Sequence, residues 1–201
     1  MTNESLADLG SAAAGIAHDL NNQLTLILNY LEVSNLEGAR VAAGRCTALT
    51  SSLLSWCRGE TTKMEPIALG EFLFDFADNV ETPDDVPVDL QLPEGLPEIK
   101  GDKVALNRIL SNLVDNACDA MNGKGLVTIS AFDRTIEISD SGPGISPVNM
   151  KRIFEPFFST KGSKGTGLGL SIVREIMRQH GGSVSVRSKP GQGATFCLKF
   201  R

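Results

Sequence analysis

Apolar residues recur through the N-terminal part of the chain at alternating steps of three and four. Leu6, Leu9, Ala13, Ile16, Leu20, Leu24, Ile27 and Leu31 form one such series. This is the seam of a helix that packs against another in coiled-coil fashion. Asn35–Gly38 reads as a turn, with Gly38 able to take a left-handed backbone. A second helix then runs to about Arg58. Two helices of this length have too little core to stand alone. Pairing of two hairpins into a four-helix bundle would complete the core, so the pattern predicts a homodimer.

Gly59–Pro66 reads as a hinge, because a Pro-free Ala/Leu/Ser-rich stretch gives way there to one rich in Gly and Pro. Two domains are therefore expected, residues 1–62 and 63–201. In the second, Ile67–Leu69 predicts a short strand and Gly70–Val80 a helix. Val86–Leu92 alternates apolar and polar side chains, as a strand does. Lys103–Met121 predicts a long amphipathic helix, N-capped by Asp102. Leu126–Ala131 and Thr135–Ser139 predict a hairpin around Asp133-Arg134. A glycine-rich region from Gly142 to Gly167 precedes a helix over Leu168–His180, which Gly181-Gly182 ends. Ser183–Ser188 and Ala194–Phe200 predict closing strands around Pro190-Gly191. The whole is an α+β chain: a helical hairpin, then an α/β sandwich with helices on one face of a mixed sheet.

Composition narrows the partners. The 201 residues are 41% hydrophobic and 21% charged, ordinary globular values. A formal charge of −5 argues against a nucleic-acid binder. No apolar run approaches the roughly 18 residues of a membrane span, and the N-terminus lacks the pattern of a secretory signal. Cys46, Cys57, Cys118 and Cys197 form no CxxC pair and fit no zinc spacing. They read as small apolar residues of a reduced compartment, the cytoplasm.

Two features carry chemistry. At 100° per residue His18 points about 150° away from the apolar seam. Asp19 adjoins it, and Asn22 follows one turn later on the same face. A carboxylate can take an imidazole proton, and an exposed imidazole can attack phosphorus, although a lone surface His fits the spacing as well. The second feature is Gly165-Thr166-Gly167-Leu168-Gly169, which opens a helix. Such glycines let backbone N–H groups approach a phosphate at a helix N-terminus, or form an ordinary turn. No GxxxxGK[ST] occurs, which excludes a P-loop enzyme.

A resemblance resolves these readings. Ala17-His18-Asp19-Leu20-Asn21-Asn22-Gln23-Leu24-Thr25 resembles the H-box of sensor histidine kinases of the nitrogen-regulation type. Asp19 replaces the usual Glu, and Gln23 the usual Pro, which leaves the helix without a proline kink. The run from Asn107 to Ala120 resembles the N-box. Asp140-Ser141-Gly142-Pro143-Gly144-Ile145 resembles the first glycine box, Phe154–Lys161 the F-box, and Gly165–Ser171 the second glycine box. All stand in the family's order, from about Leu6 to Phe200.

The resemblance implies a Bergerat, or GHKL, ATP-binding fold behind a dimeric phosphoacceptor hairpin. It implies a protein-histidine kinase that uses ATP and Mg²⁺, autophosphorylates His18 with Asp19 as base, and passes the phosphoryl group to the aspartate of a response regulator. By the same resemblance Asn116 holds Mg²⁺ and Asn112 supports the phosphates. Asp119 belongs to the same region, and Asp140 accepts the adenine amino proton. Gly142 and Gly144 pass close to the base, and Thr195 supplies a hydroxyl near it. Gly165, Gly167, Leu168, Gly169 and Leu170 form the second glycine box. Residues 146–166 form a lid from which Lys161 reaches the γ-phosphate; Lys164 reads rather as solvated. Phe154, Phe157 and Phe158 read as packing. Asn22 resembles the residue that positions water in the H-[ED]-x-x-N motif, which implies phosphatase activity toward the regulator. The alternative is a degenerate kinase that binds nucleotide and serves as a signalling scaffold; absence of phosphohistidine despite ATP binding would mark it. No sensory segment stands ahead of the hairpin, so input comes from a partner or from a longer chain.

Overall fold

The computed structural model describes residues 20–36, 38, 39, 42, 43, 46, 63–155, 158–161 and 167–201. His18, Asp19, Cys57, Phe157, Lys164, Gly165 and most of the expected hairpin lie outside the described residues. The chain divides into two compact units, Met1–Thr61 and Thr62–Arg201.

In the first unit, residues 20–32 are helical (α1), and residues 36, 38, 39, 42, 43 and 46 belong to a second helix (α2). Leu24, Leu28 and Leu31 lie exposed along α1. The turn differs from expectation. Ser34, not Gly38, takes the positive φ, at 56°. Gly38 is helical, and its amide donates to Asn35 Oδ1 at 2.9 Å. A Cβ on Gly38 would lie 2.8 Å from Tyr30 Cδ1, so this glycine makes room for an aromatic ring.

The second unit holds seven strands and four helices among its described residues. In chain order they are β1 (Glu65–Ala68), α3 (Leu69–Asn79), β2 (Val88–Gln91), β3 (Glu98–Gly101), α4 (Lys103–Ala120), β4 (Val127–Phe132) and β5 (Thr135–Asp140). After these come α5 (Pro147–Met150), α6 (Gly169–Gln179), β6 (Ser183–Ser188) and β7 (Ala194–Lys199). The main sheet has the order β2-β4-β5-β7-β6. Its β2–β4 pair is parallel and the remaining pairs are antiparallel. β1 and β3 form a separate antiparallel ribbon.

Side-chain parity decides which face of the sheet is buried. Val127, Ile129, Ile136, Ile138, Ala194, Phe196 and Leu198 share the face packed against α4 and α6. Thr128, Ser130, Glu137, Ser139, Thr195 and Cys197 point the other way. α4 presents Leu106, Ile109, Leu110, Leu113, Val114 and Ala117 to the core. Each of its larger side chains contributes roughly 1.5–3 kcal/mol by leaving water. Asp102 caps α4 as expected, accepting from Val104 N at 2.9 Å and Ala105 N at 3.1 Å.

His180 braces this arrangement from the end of α6. Buried, it sets Nδ1 2.8 Å from Ile176 O and takes the Asp102 N–H on Nε2 at 3.0 Å. These two partners assign a neutral ring with its proton on Nδ1.

In the second unit the helix and strand expectations hold with small shifts: β1 and α3 begin one or two residues early. β3 was not foreseen, because its four residues contain one buried apolar side chain, Ile99. The expected lid region contains a short helix, α5, whose N-cap Ser146 accepts from Asn149 N. Cys46, Cys118 and Cys197 are half-buried thiols outside any disulfide. Among the described residues no helix is long and apolar enough to cross a membrane.

Candidate nucleotide site

α4 organises the site. Asn112 and Asn116, four residues apart, share one helical face. Asn112 is held by its own helix, its Nδ2 donating to Arg108 O at 2.8 Å. The start of α6 comes so close that a Cβ on Gly169 would sit 3.0 Å from Asn112 Oδ1 and 3.6 Å from Asn116 Nδ2. Glycine here lets the N-terminus of α6, with its orphan N–H groups, approach these amides without pressing on Asn112. Gly167 takes a φ of 66° just before it. Leu168 is buried; its carbonyl accepts from Ser171 Oγ and from Ile172 N. Leu170 packs against the core.

Lys161 arrives from the F-box segment. Its ammonium donates to Asn116 Oδ1 at 3.0 Å and to Asp119 Oδ2 at 2.6 Å. Two oxygens of α4, an amide and a carboxylate, thus converge on one cation. That donor chemistry also suits Mg²⁺, a hard ion that takes oxygen ligands. Asp115, which the sequence reading did not single out, belongs with this group. Burial and the neighbouring Asp119 raise its pKa, while Lys161 pulls it down. Its place one turn before Asp119 was the available signal.

Nine residues beyond Asn112, about 13 Å along the helix axis, α4 ends at Met121. Asp140 stands near this end. Alternation along β5 gives it the parity of Ile136 and Ile138, so its carboxylate faces the helices. Gly142 N donates to Asp140 Oδ1 at 2.8 Å. A Cβ on Gly142 would lie 2.7 Å from that oxygen and 3.2 Å from Met121 Cγ. Burial raises the pKa of Asp140 against the hydrogen bonds from Gly142 and Ala194 N–H, which lower it. The segment after Asp140 is tied to the β6–β7 turn. Gly191 N donates to Pro143 O at 2.7 Å, Ile145 N to Ser188 Oγ at 2.8 Å, and Ser188 Oγ to Gly193 O at 2.6 Å. Gly144 and Gly193 both take positive φ there.

Thr195 is not brought to this place. It pairs with Ser139, Oγ1 to Oγ at 2.9 Å, on the face opposite Asp140. Ala194 is the residue of β7 that pairs with Asp140. The expected hydroxyl beside the base is thereby corrected: strand parity turns Thr195 away. Phe154 and Phe158 pack on the core as expected, and the Arg152 guanidinium lies 4.5 Å from the Phe158 ring centre. Asn22 is exposed on α1. A cavity of about 840 Å³ opens on another flank of α4, lined by Phe72, Asp75, Lys103, Ser111 and Asp115 among others. None of the residues to which the resemblance assigns a role lines it.

Comparison with known proteins identifies the family of this fold. The profile of the family described as "Histidine kinase-, DNA gyrase B-, and HSP90-like ATPase" matches residues 101–201. Sensor histidine kinase ZraS of Escherichia coli (strain K12) is 32% identical over 215 residues, covering 97% of this chain and 46% of ZraS. The chain thus spans about half the length of that relative. Among solved structures, full-length ShkA in complex with AMPPNP superposes with a TM-score of 0.67 at 25% identity, over 96% of this chain and 45% of ShkA. Histidine kinase ThkA, in complex with response regulator protein TrrA, shares the fold with a TM-score of 0.74 at 21% identity, over 98% of this chain and 63% of ThkA. From α4 to the last strand the chain belongs to the histidine kinase-, DNA gyrase B- and HSP90-like ATPases, and its likeness to sensor histidine kinases extends over nearly its whole length.

Proposed function

We propose that the chain is the kinase core of a two-component system, transferring the γ-phosphoryl group of ATP to His18 and from there to a response-regulator aspartate. One observation carries the reading. A single helix sets Asn112 and Asn116 against the glycine-opened start of α6, and ends beside the half-buried carboxylate of Asp140. Polyanion-binding groups at one end and a lone acceptor at the other suit the two ends of a nucleotide.

In this reading Asp140 accepts from the exocyclic amine of adenine, and Gly142 and Gly144 let the backbone pass the ring. The N–H groups from Gly167 to Leu170, at and just before the start of α6, favour the phosphates. Asn116 and Asp119 are the residues that would hold Mg²⁺, which neutralises phosphate charge when bound. Asn112 orients the phosphate end. Asp19 takes the proton of His18, whose ring nitrogen attacks in line with the leaving oxygen. The protein's part is positioning and charge neutralisation. The exposed leucines of α1 fit a helical seam that a second copy covers, and two hairpins then form one bundle. Asn22, one turn after His18, orients water for removal of the regulator's phosphoryl group by hydrogen bonding. A cytoplasmic location follows from that partner.

The test is incubation with γ-labelled ATP and Mg²⁺. The label must be acid-labile, base-stable and absent in His18→Ala. Nucleotide binding without any phosphohistidine would turn the reading into the scaffold. Asn22→Ala should slow regulator dephosphorylation while leaving autophosphorylation in place; an unchanged rate removes the phosphatase role.

A further inference from the structure

The C-terminal half of α4 is short of positive charge. Asp115 and Asp119 stand one turn apart, and the last turn contains no basic residue. The helix dipole adds partial negative charge at the same end. Both features call for a cation, and the structure supplies one from far along the chain. Lys161 lies forty-two residues past Asp119. Its backbone N–H is tied to Ser159 Oγ at 3.1 Å, and its side chain is 30% exposed. The ammonium reaches Asn116 Oδ1 at 3.0 Å and Asp119 Oδ2 at 2.6 Å.

We propose that Lys161 is a resident counter-ion: its ammonium holds the oxygen pair of Asn116 and Asp119 until a divalent cation arrives with the nucleotide and displaces it. The idea rests on the Mg²⁺–ATP reading above and deepens it. Mg²⁺ demands near-octahedral oxygen ligands at short range. An ammonium already bonded to the same two oxygens leaves no room for it, so occupancy is exclusive. Metal without nucleotide must evict Lys161 from both oxygens and leave it only Asp115 as an anionic neighbour. Metal with a triphosphate offers the ammonium the phosphate oxygens in exchange. Lys161 therefore couples the two ligands, suppressing metal binding alone and permitting it in company. The coupling depends on the positive charge at position 161, not on the bulk of the side chain.

The measurement is Mn²⁺ titration of the whole chain, read by the loss of the free-ion electron paramagnetic resonance signal, with and without a non-hydrolysable ATP analogue. Wild type should bind Mn²⁺ weakly alone and much more tightly with the analogue. Lys161→Met should bind Mn²⁺ alone about fivefold more tightly, the scale of a part-exposed ion pair. Lys161→Arg, which keeps the charge, should stay near wild type. Unchanged or weaker Mn²⁺ binding in Lys161→Met overturns the inference, as does equal behaviour of the Met and Arg variants. If wild type binds no analogue with Mn²⁺, the kinase reading falls and takes this one with it. If wild type binds both and only the variant pattern is missing, this inference falls alone.

Discussion

His180 offers a clean test of what holds the site helix in place. Its ring joins the end of α6 to the Asp102 backbone at the start of α4, and Asp102 in turn caps α4 and accepts from Lys63 N at 2.9 Å. His180→Phe keeps most of the ring's bulk and removes both ring nitrogens. The Ile176 carbonyl loses one donor but retains the backbone N–H of residue 180 at 3.0 Å. The Asp102 N–H is left facing carbon. An orphaned donor costs about 1–3 kcal/mol, and the second lost bond about 0.5–1.5 kcal/mol. The expected destabilisation is therefore about 2–4 kcal/mol. His180→Gln provides a side-chain oxygen for the Asp102 N–H, and should lose only about 1 kcal/mol. Urea unfolding followed by far-ultraviolet circular dichroism measures both, as shifts in midpoint at a constant slope. A Phe variant as stable as wild type would show that packing, not hydrogen bonding, fixes this corner. A Gln variant as damaged as Phe would refute the assigned acceptor role of Nε2.

Three further outcomes are expected. Burial raises the Asp102 pKa, but the N–H groups of Ala105, Lys63 and Val104 outweigh it and hold the carboxyl below its ordinary 3.8. Its stabilisation is present above that pH and is lost as pH falls through the lower folded value. Asp102→Ala should therefore cost about 0.5–2 kcal/mol at neutral pH, a deficit that closes below pH 3.8; acid titration of both proteins, with a constant gap as the contrary result, decides it. For Asp140 the sign reverses: its raised pKa means that the charged form is disfavoured in the fold, and stability falls as pH rises through that value. Asp140→Asn, which keeps an oxygen for Gly142 N, should melt no lower than wild type at neutral pH, yet bind ATP about ten- to a hundredfold more weakly by nucleotide titration. At Gly193, with φ at 71°, a Cβ would collide with the Asp140 carbonyl, whereas at Gly191, with φ at 79°, it would meet nothing. Gly191→Ala should cost about 1–2 kcal/mol, the strain of a left-handed residue; Gly193→Ala should cost clearly more and weaken ATP binding as well, and equal melting temperatures would refute the clash.

What could be read in advance follows the range of the interactions involved. Periodicity gave α4 and its cap, since both are local. The hairpin around Asp133 was legible because one turn residue takes a φ of 49°, a conformation that Asp tolerates. β3 was not, because four residues with one buried side chain give no period. Lys161 and its oxygens are far apart in sequence, so no pattern of neighbours could pair them. Thr195 is the instructive miss. Ala194, Phe196 and Leu198 alternate inward, which turns Thr195 outward, so strand parity outweighs the motif's likeness at this position. The same parity rule makes Asp140 stand out. A strand that sends Ile136 and Ile138 into the core sends a carboxylate after them, at a cost in desolvation that packing alone does not repay. A sequence that breaks its own burial pattern at one residue, and surrounds it with glycines, marks the place where a ligand completes the structure.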